Sequence, residues 1–158
     1  MIPVFSTTVS CVIIKFVREI PQMLLMKRSV RDGGHWNHLT GGIESNETGI
    51  EAIVREIFEE TRLTPIRLYN GEYIEQFYQP AKNRILLMPL FVAEVSPMDD
   101  VVLNEEHTEF RWLGLDQVLE LVNYDQQKAV YHHVWRLFVN NEVNKKLNVP
   151  FEPHPLHN

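Results

Sequence analysis

Between Thr48 and Thr61 the hydrophobic period of the chain changes, and this stretch constrains the fold more than any other. Ile50, Ile53, Val54 and Ile57 recur at intervals of three and four, which draws one apolar stripe along a helix. Pro65 stops any continuation. Such a stripe must be buried against another layer of structure. The flanking sequence, rich in Val, Ile, Phe and Thr, supplies strands for that layer.

Residues 4–17 read as one strand, Arg18 to Gln22 as a turn containing Pro21, and 23–26 as a short buried strand ending at Lys27 and Arg28. Asp32-Gly33-Gly34 marks a loop, and 36–40 a short extended piece before Gly41-Gly42. Beyond the helix, strands are expected near 66–78 and 84–95, joined by a turn at 80–83, with a third at 108–113. A short helix near 115–122 and a longer one over 125–141 follow. The order lacks the regular alternation of a doubly wound sheet. An α/β (α+β) mixed sheet packed between helices fits best. One domain is expected over residues 1–145, with a proline-containing tail at 146–158.

A net charge of -6 and the lack of a lysine or arginine run argue against a groove for DNA or RNA, which needs cations to neutralise phosphates. No apolar stretch approaches the roughly 20 residues that span a bilayer. Neither a membrane nor a nucleic-acid polymer is expected as partner. Cys11, alone in an apolar run, reads as a buried structural thiol, which suits a reducing compartment. With no signal peptide apparent, the cytoplasm is the expected location.

The helix also carries Arg55, Glu56, Glu59 and Glu60, expected on the side away from the stripe. Glu56 lies three residues from Glu59 and four from Glu60, so the three carboxylates crowd one surface. Carboxylates repel at that spacing, and a hard divalent cation such as Mg²⁺ or Mn²⁺ would offset the repulsion. A solvated acidic face, with Arg55 as a local partner of Glu59, is the plainer alternative.

The preceding loop bears on that choice. Gly41, then Glu47 after five residues, then Arg55-Glu56-Ile57 after seven, then Glu59-Glu60 and Leu63 resembles the Nudix signature over 23 residues. Every specified position matches except the last glycine, which is Arg62 here. The resemblance implies an α/β/α sandwich around a mixed sheet. Within the family, 36–41 (Trp-Asn-His-Leu-Thr-Gly), Glu106-His107 and Trp112-Leu113 look like the branch of dATP pyrophosphohydrolases and dihydroneopterin triphosphate pyrophosphatases. It implies magnesium-dependent hydrolysis of a phosphoanhydride in a nucleoside triphosphate or related substrate, releasing pyrophosphate or phosphate. Cleavage of ADP-ribose, a dinucleotide or another nucleoside diphosphate conjugate is the alternative. A Nudix-like binding module without hydrolysis is a third reading. Homodimers also occur in this family.

The resemblance further implies that Glu56 and Glu60 hold the metal, with Glu59 close by and the Gly41 carbonyl adding a ligand. Arg55 is expected to fix a glutamate, with Glu47 as its partner or as an outer ligand. Glu106 is the candidate base or extra ligand, with Glu105 and Glu109 as rivals. Arg28, Lys27 and Thr40 are expected near the phosphates, and Trp36, Phe77 and Tyr78 are candidates to stack on a base or pterin ring. For each aromatic, packing at the core or its rim is the competing role. Trp112, His132 and His133 read as structural.

Overall fold

A computed structural model describes residues 1–155. Strands β2 (Thr8–Val17) and β3 (Ile20–Arg28) form an antiparallel hairpin. Its turn is only Arg18-Glu19, both at positive φ (51° and 68°), as the twist of a two-residue hairpin demands. Pro21, expected in the turn, instead lies in β3 opposite Phe16. The other edge of β2 runs parallel to β7 (Arg84–Glu94), which pairs antiparallel with β6 (Arg67–Gln79). The far edge of β3 takes β8 (His107–Leu113). The sheet order is therefore β6-β7-β2-β3-β8, mixed as expected.

Shorter strands fill in around this frame. β4 (Trp36–Asn37) pairs with the end of β3, and β5 (Leu39–Gly42) with the start of β2. The single strand expected over 4–17 is broken: β1 (Val4–Phe5) pairs with the start of β7, and then the Thr7 carbonyl accepts from the Ile43 N–H at 2.9 Å. β6 carries an irregularity between Asn70 and Ile74. Gly71 is needed there, because a Cβ would fall 2.6 Å from the Leu90 carbonyl oxygen.

Alternation along β2 divides the core. Val9, Cys11 and Ile13 face one way, where the stripe of α1 (Gly49–Thr61) covers them. Val12 and Ile14 face the other way, under α2 (Leu115–Leu121) and α3 (Asp125–Val134). The result is the three-layer sandwich. The Cys11 thiol is fully buried, and burial pushes its pKa up, so it is an inert packing group.

The helix expected over 125–141 changes form: α3 ends at Val134, and Trp135–Val139 continues as a π-helical turn, closed by Asn140 N–H to the Trp135 carbonyl at 2.8 Å. Under α3 lies a polar knot. Ser10 donates to Glu75, while the His38 ring reaches Glu75 through Nε2 (3.1 Å) and the Tyr131 hydroxyl through Nδ1 (2.8 Å). Burial would raise the Glu75 pKa, but His38 and the hydrogen bonds from His38 and Ser10 outweigh it and hold the carboxyl below its usual range.

Of the expected tail, residues 146–155 lie against the domain. Asn148 bridges to Tyr69, the Val149 N–H bonds the Leu68 carbonyl at 2.8 Å, and Phe151 packs on the α1-side core. Residues 156–158 lie outside the described part. Among the described residues no helix is long and apolar enough to cross a membrane.

Candidate active site

The site is built where α1 passes over the Gly41 end of β5. Thr48 caps α1, its Oγ1 accepting from the Glu51 N–H at 3.1 Å. At the other end Arg62 adopts the left-handed conformation (φ 62°) in which its N–H reaches the Phe58 carbonyl at 2.8 Å. This is the position where the signature has glycine, and a side chain there costs about 1 kcal/mol. The Arg62 guanidinium lies over the Phe58 ring, 5.0 Å from its centroid.

Successive helical residues turn by about 100°, which grades the three acids from core to solvent. Glu60 is 1% exposed, Glu56 is half-buried and Glu59 is exposed. The expectation that all three face away from the stripe is corrected by this: Glu60 follows Ile53 and Ile57 at helical spacing and continues the buried face. Both Glu60 carboxylate oxygens are buried without a hydrogen-bond partner. Burial first, then the neighbouring carboxylates of Glu106 and Glu56, push its pKa up to about 10. Burial also raises Glu56, against the opposing pull of Arg55.

Arg55, 9% exposed, organises the acids around it. Its Nε and one Nη donate to the two oxygens of Glu47 at 2.6 and 2.8 Å. The same Nη donates to the Gly42 carbonyl at 2.8 Å, and the other Nη to Glu56 at 2.9 Å and Glu59 at 3.1 Å. Glu47 also accepts from the Glu44 N–H at 2.9 Å. Arg55 thus bonds protein acceptors throughout, and Glu47 spends its charge on Arg55.

An open cavity of about 220 Å³ lies beside this helix, lined by Thr8, Arg28, Thr40, Gly41, Gly42, Glu56, Glu60 and Glu106. Gly41 is required by contact: a Cβ there would fall 2.3 Å from Cγ and Cδ of Glu56. Glu106 is set by its backbone, whose N–H bonds Asn104 Oδ1 at 3.1 Å and whose carbonyl accepts from Ser29 at 3.2 Å. Its rivals lie elsewhere: Glu105 is exposed and Glu109 faces Arg111 at 3.9 Å.

The remaining candidates do not line the cavity. Lys27 pairs in register with Trp36 and Glu109. Trp36 has the Arg111 guanidinium over its ring at 4.9 Å. Phe77 lies opposite Leu86 in the β6–β7 ladder, and exposed Tyr78 bonds Asn83 at 2.9 Å. His133 bonds the Gly71 carbonyl at 2.7 Å, and Trp112 lies under the Lys15 ammonium.

Thr8 and His107 were not anticipated as site residues. His107 starts β8 in register with Arg28, is 7% exposed, and its Nδ1 has no hydrogen-bond partner. Burial and the nearby Arg28 lower its pKa. One ligand atom each from Glu60, Glu106 and His107 lies within 4.8 Å of the others. An unpartnered buried carboxylate beside further carboxylates suits a hard divalent cation, which would relieve both the desolvation and the repulsion. Its charge would also hold Glu60 ionised.

Comparison with known proteins identifies the family. The NUDIX domain family matches residues 5–134. The asymmetrical bis(5'-nucleosyl)-tetraphosphatase of Rattus norvegicus is 31% identical over 111 residues, 68% of this chain and 74% of that protein. Nucleoside triphosphatase NudI of Escherichia coli is 31% identical over 103 residues, 61% of this chain and 71% of that protein. In structure, a C. elegans Ap4A hydrolase binary complex superposes with a TM-score of 0.72 at 22% identity, covering 84% of this chain and 96% of that one. With its signature helix, mixed-sheet sandwich and acid-lined cavity, the chain belongs to the Nudix family, as a hydrolase acting on acid anhydrides.

Proposed function

We propose that the protein is a magnesium-dependent hydrolase, with manganese as a substitute, that cleaves a phosphoanhydride bond in a nucleotide carrying a chain of phosphates. The observation that carries this is Glu60, whose two buried, unpartnered oxygens stand at a cavity shared with Glu56, Glu106 and Arg28. Glu56, Glu60 and the Gly41 carbonyl would hold the metal, with Glu106 as a further ligand or as the base and Glu59 at the exposed rim. When bound, the cation would neutralise developing charge on phosphate and acidify a water molecule.

The chain's own residues supply the rest. Arg28 is the cation at the cavity and would take a phosphate oxygen by charge-assisted hydrogen bonds. Thr8 and Thr40 add hydroxyl groups that can donate to phosphate. Arg55 is committed to Glu47, Glu56, Glu59 and Gly42, which makes it a positioning residue. Glu106, as base, would accept the proton of the attacking water.

For the substrate, similarity to the rat tetraphosphatase favours a dinucleoside polyphosphate. The triphosphate reading, a dATP-like or dihydroneopterin triphosphate substrate, is supported by the equal identity to NudI. The Nudix signature supports a reaction centre at the acidic helix and leaves the group beyond it open. A product-chromatography screen of dinucleoside polyphosphates, deoxynucleoside triphosphates, dihydroneopterin triphosphate and ADP-ribose, with Mg²⁺ and Mn²⁺, tests both. Turnover of a dinucleoside tetraphosphate at least tenfold above the others is expected. Preference for ADP-ribose would overturn the substrate choice, and no turnover of any anhydride would overturn the whole proposal.

A further inference from the structure

Two of the acids that line the cavity, Glu60 and Glu106, have a third donor group close by, and it is a nitrogen. His107 follows Glu106 directly and stands in register with Arg28, so the first residue of β8 is carried to the buried end of α1. It is 7% exposed, and its Nδ1 is buried with no hydrogen-bond partner. A buried imidazole nitrogen left without a partner has lost its water without recovering a hydrogen bond. Glu60 has the same unmet need at both oxygens. Ligand atoms of Glu60, Glu106 and His107 all lie within 4.8 Å of one another, a spread that one cation can close.

We infer that His107 is a nitrogen ligand to the divalent cation of this site, completing a Glu60–Glu106–His107 set. The inference rests on the metal reading above and adds a donor to it. Its consequence is selectivity. Imidazole suits transition metals better than it suits Mg²⁺, which prefers oxygen. A carboxylate-only site would discriminate less between Mn²⁺ and Mg²⁺ than one containing His107. Arg28, in register beside His107, lines the cavity and keeps a positive charge there.

The test uses the full chain, stripped with chelator and loaded with Mn²⁺ alone. Electron spin-echo modulation of bound Mn²⁺ should show coupling to a directly bonded imidazole nitrogen. Growth with heavy-nitrogen histidine should shift that coupling, and His107→Gln should abolish it. By calorimetry, His107→Gln should weaken Mn²⁺ about tenfold and Mg²⁺ less. Mn²⁺ bound without histidine coupling overturns the inference and leaves the metal reading standing. No Mn²⁺ bound at all overturns both. Should His107→Gln fail to fold, the isotope comparison in the unmodified protein still decides.

Discussion

Arg55 and Glu47 are joined by two parallel hydrogen bonds, Nε to Oε2 at 2.6 Å and Nη to Oε1 at 2.8 Å, across the loop that enters the acidic helix. The pair is a fork on a fork, and the remaining guanidinium hydrogens go to Gly42, Glu56 and Glu59. A lysine keeps the charge but cannot reach so many acceptors at once. Arg55→Lys should lower the melting temperature, through loss of roughly 1.5–3 kcal/mol of charge-assisted bonding. It should also cut kcat at least tenfold, because Glu56 loses its brace. Thermal melts with steady-state kinetics check this, and turnover within twofold of the parent would remove the positioning role.

Gly41 and Gly42 are neighbours with opposite demands. A methyl at Gly41 would meet Glu56 at 2.3 Å, whereas one at Gly42 has nothing within 4 Å. Gly41→Ala should therefore weaken metal binding and turnover by about tenfold or more, by displacing a carboxylate. Gly42→Ala should leave both within about twofold. Equal effects from the two would show that the close approach to Glu56 does not matter.

Glu60 links the site to stability. Its folded pKa is raised to about 10 against an ordinary value of 4.5. A group raised on folding contributes stability that is complete below its unfolded pKa and is lost as pH climbs toward the folded one. In chelator, the protein should therefore lose melting temperature steadily from about pH 5 to pH 9. Glu60→Gln should flatten that slope and abolish metal-dependent turnover. Added Mg²⁺ should restore stability at high pH in the parent but not in the variant. Parallel slopes for parent and variant in chelator would sink the assignment.

Glu106 can be separated from its neighbours by the same measurement on three variants. Glu106→Gln should slow kcat by about a hundredfold if the carboxylate is the base. Glu105→Gln and Glu109→Gln should change it less than about threefold, since neither lines the cavity. A Glu106→Gln effect under threefold would return that acid to the surface.

What was legible in the sequence was what is local. The stripe of α1 and the spacing of Gly41, Glu47 and Arg55 can be read off a helical wheel and a loop length, and so could Glu47 as a partner of Arg55. The burial of Glu60 was legible in principle, since it falls three residues after Ile57, but its charge drew it to the polar side. His107 carried one usable signal, its place directly after Glu106 at the start of a strand. The Ser10–Glu75–His38–Tyr131 knot carried none. Its bonds span separations of 65, 37 and 93 residues, and only the sheet order brings those segments together. The π-turn after Val134 sets Phe138 against Tyr69 of β6, 5.5 Å between ring centroids, another contact between segments far apart in the chain.

The pairing of Asn148 and Val149 with Tyr69 and Leu68 covers part of the outermost strand at its first residues. An uncovered strand offers its N–H and C=O groups to any other chain. The segment after Leu147 therefore leaves fewer of these groups open at that edge, and because Phe151 packs on the α1-side core and the His154 ring stacks on Phe58 at 5.1 Å, the same segment also bears on the acidic helix.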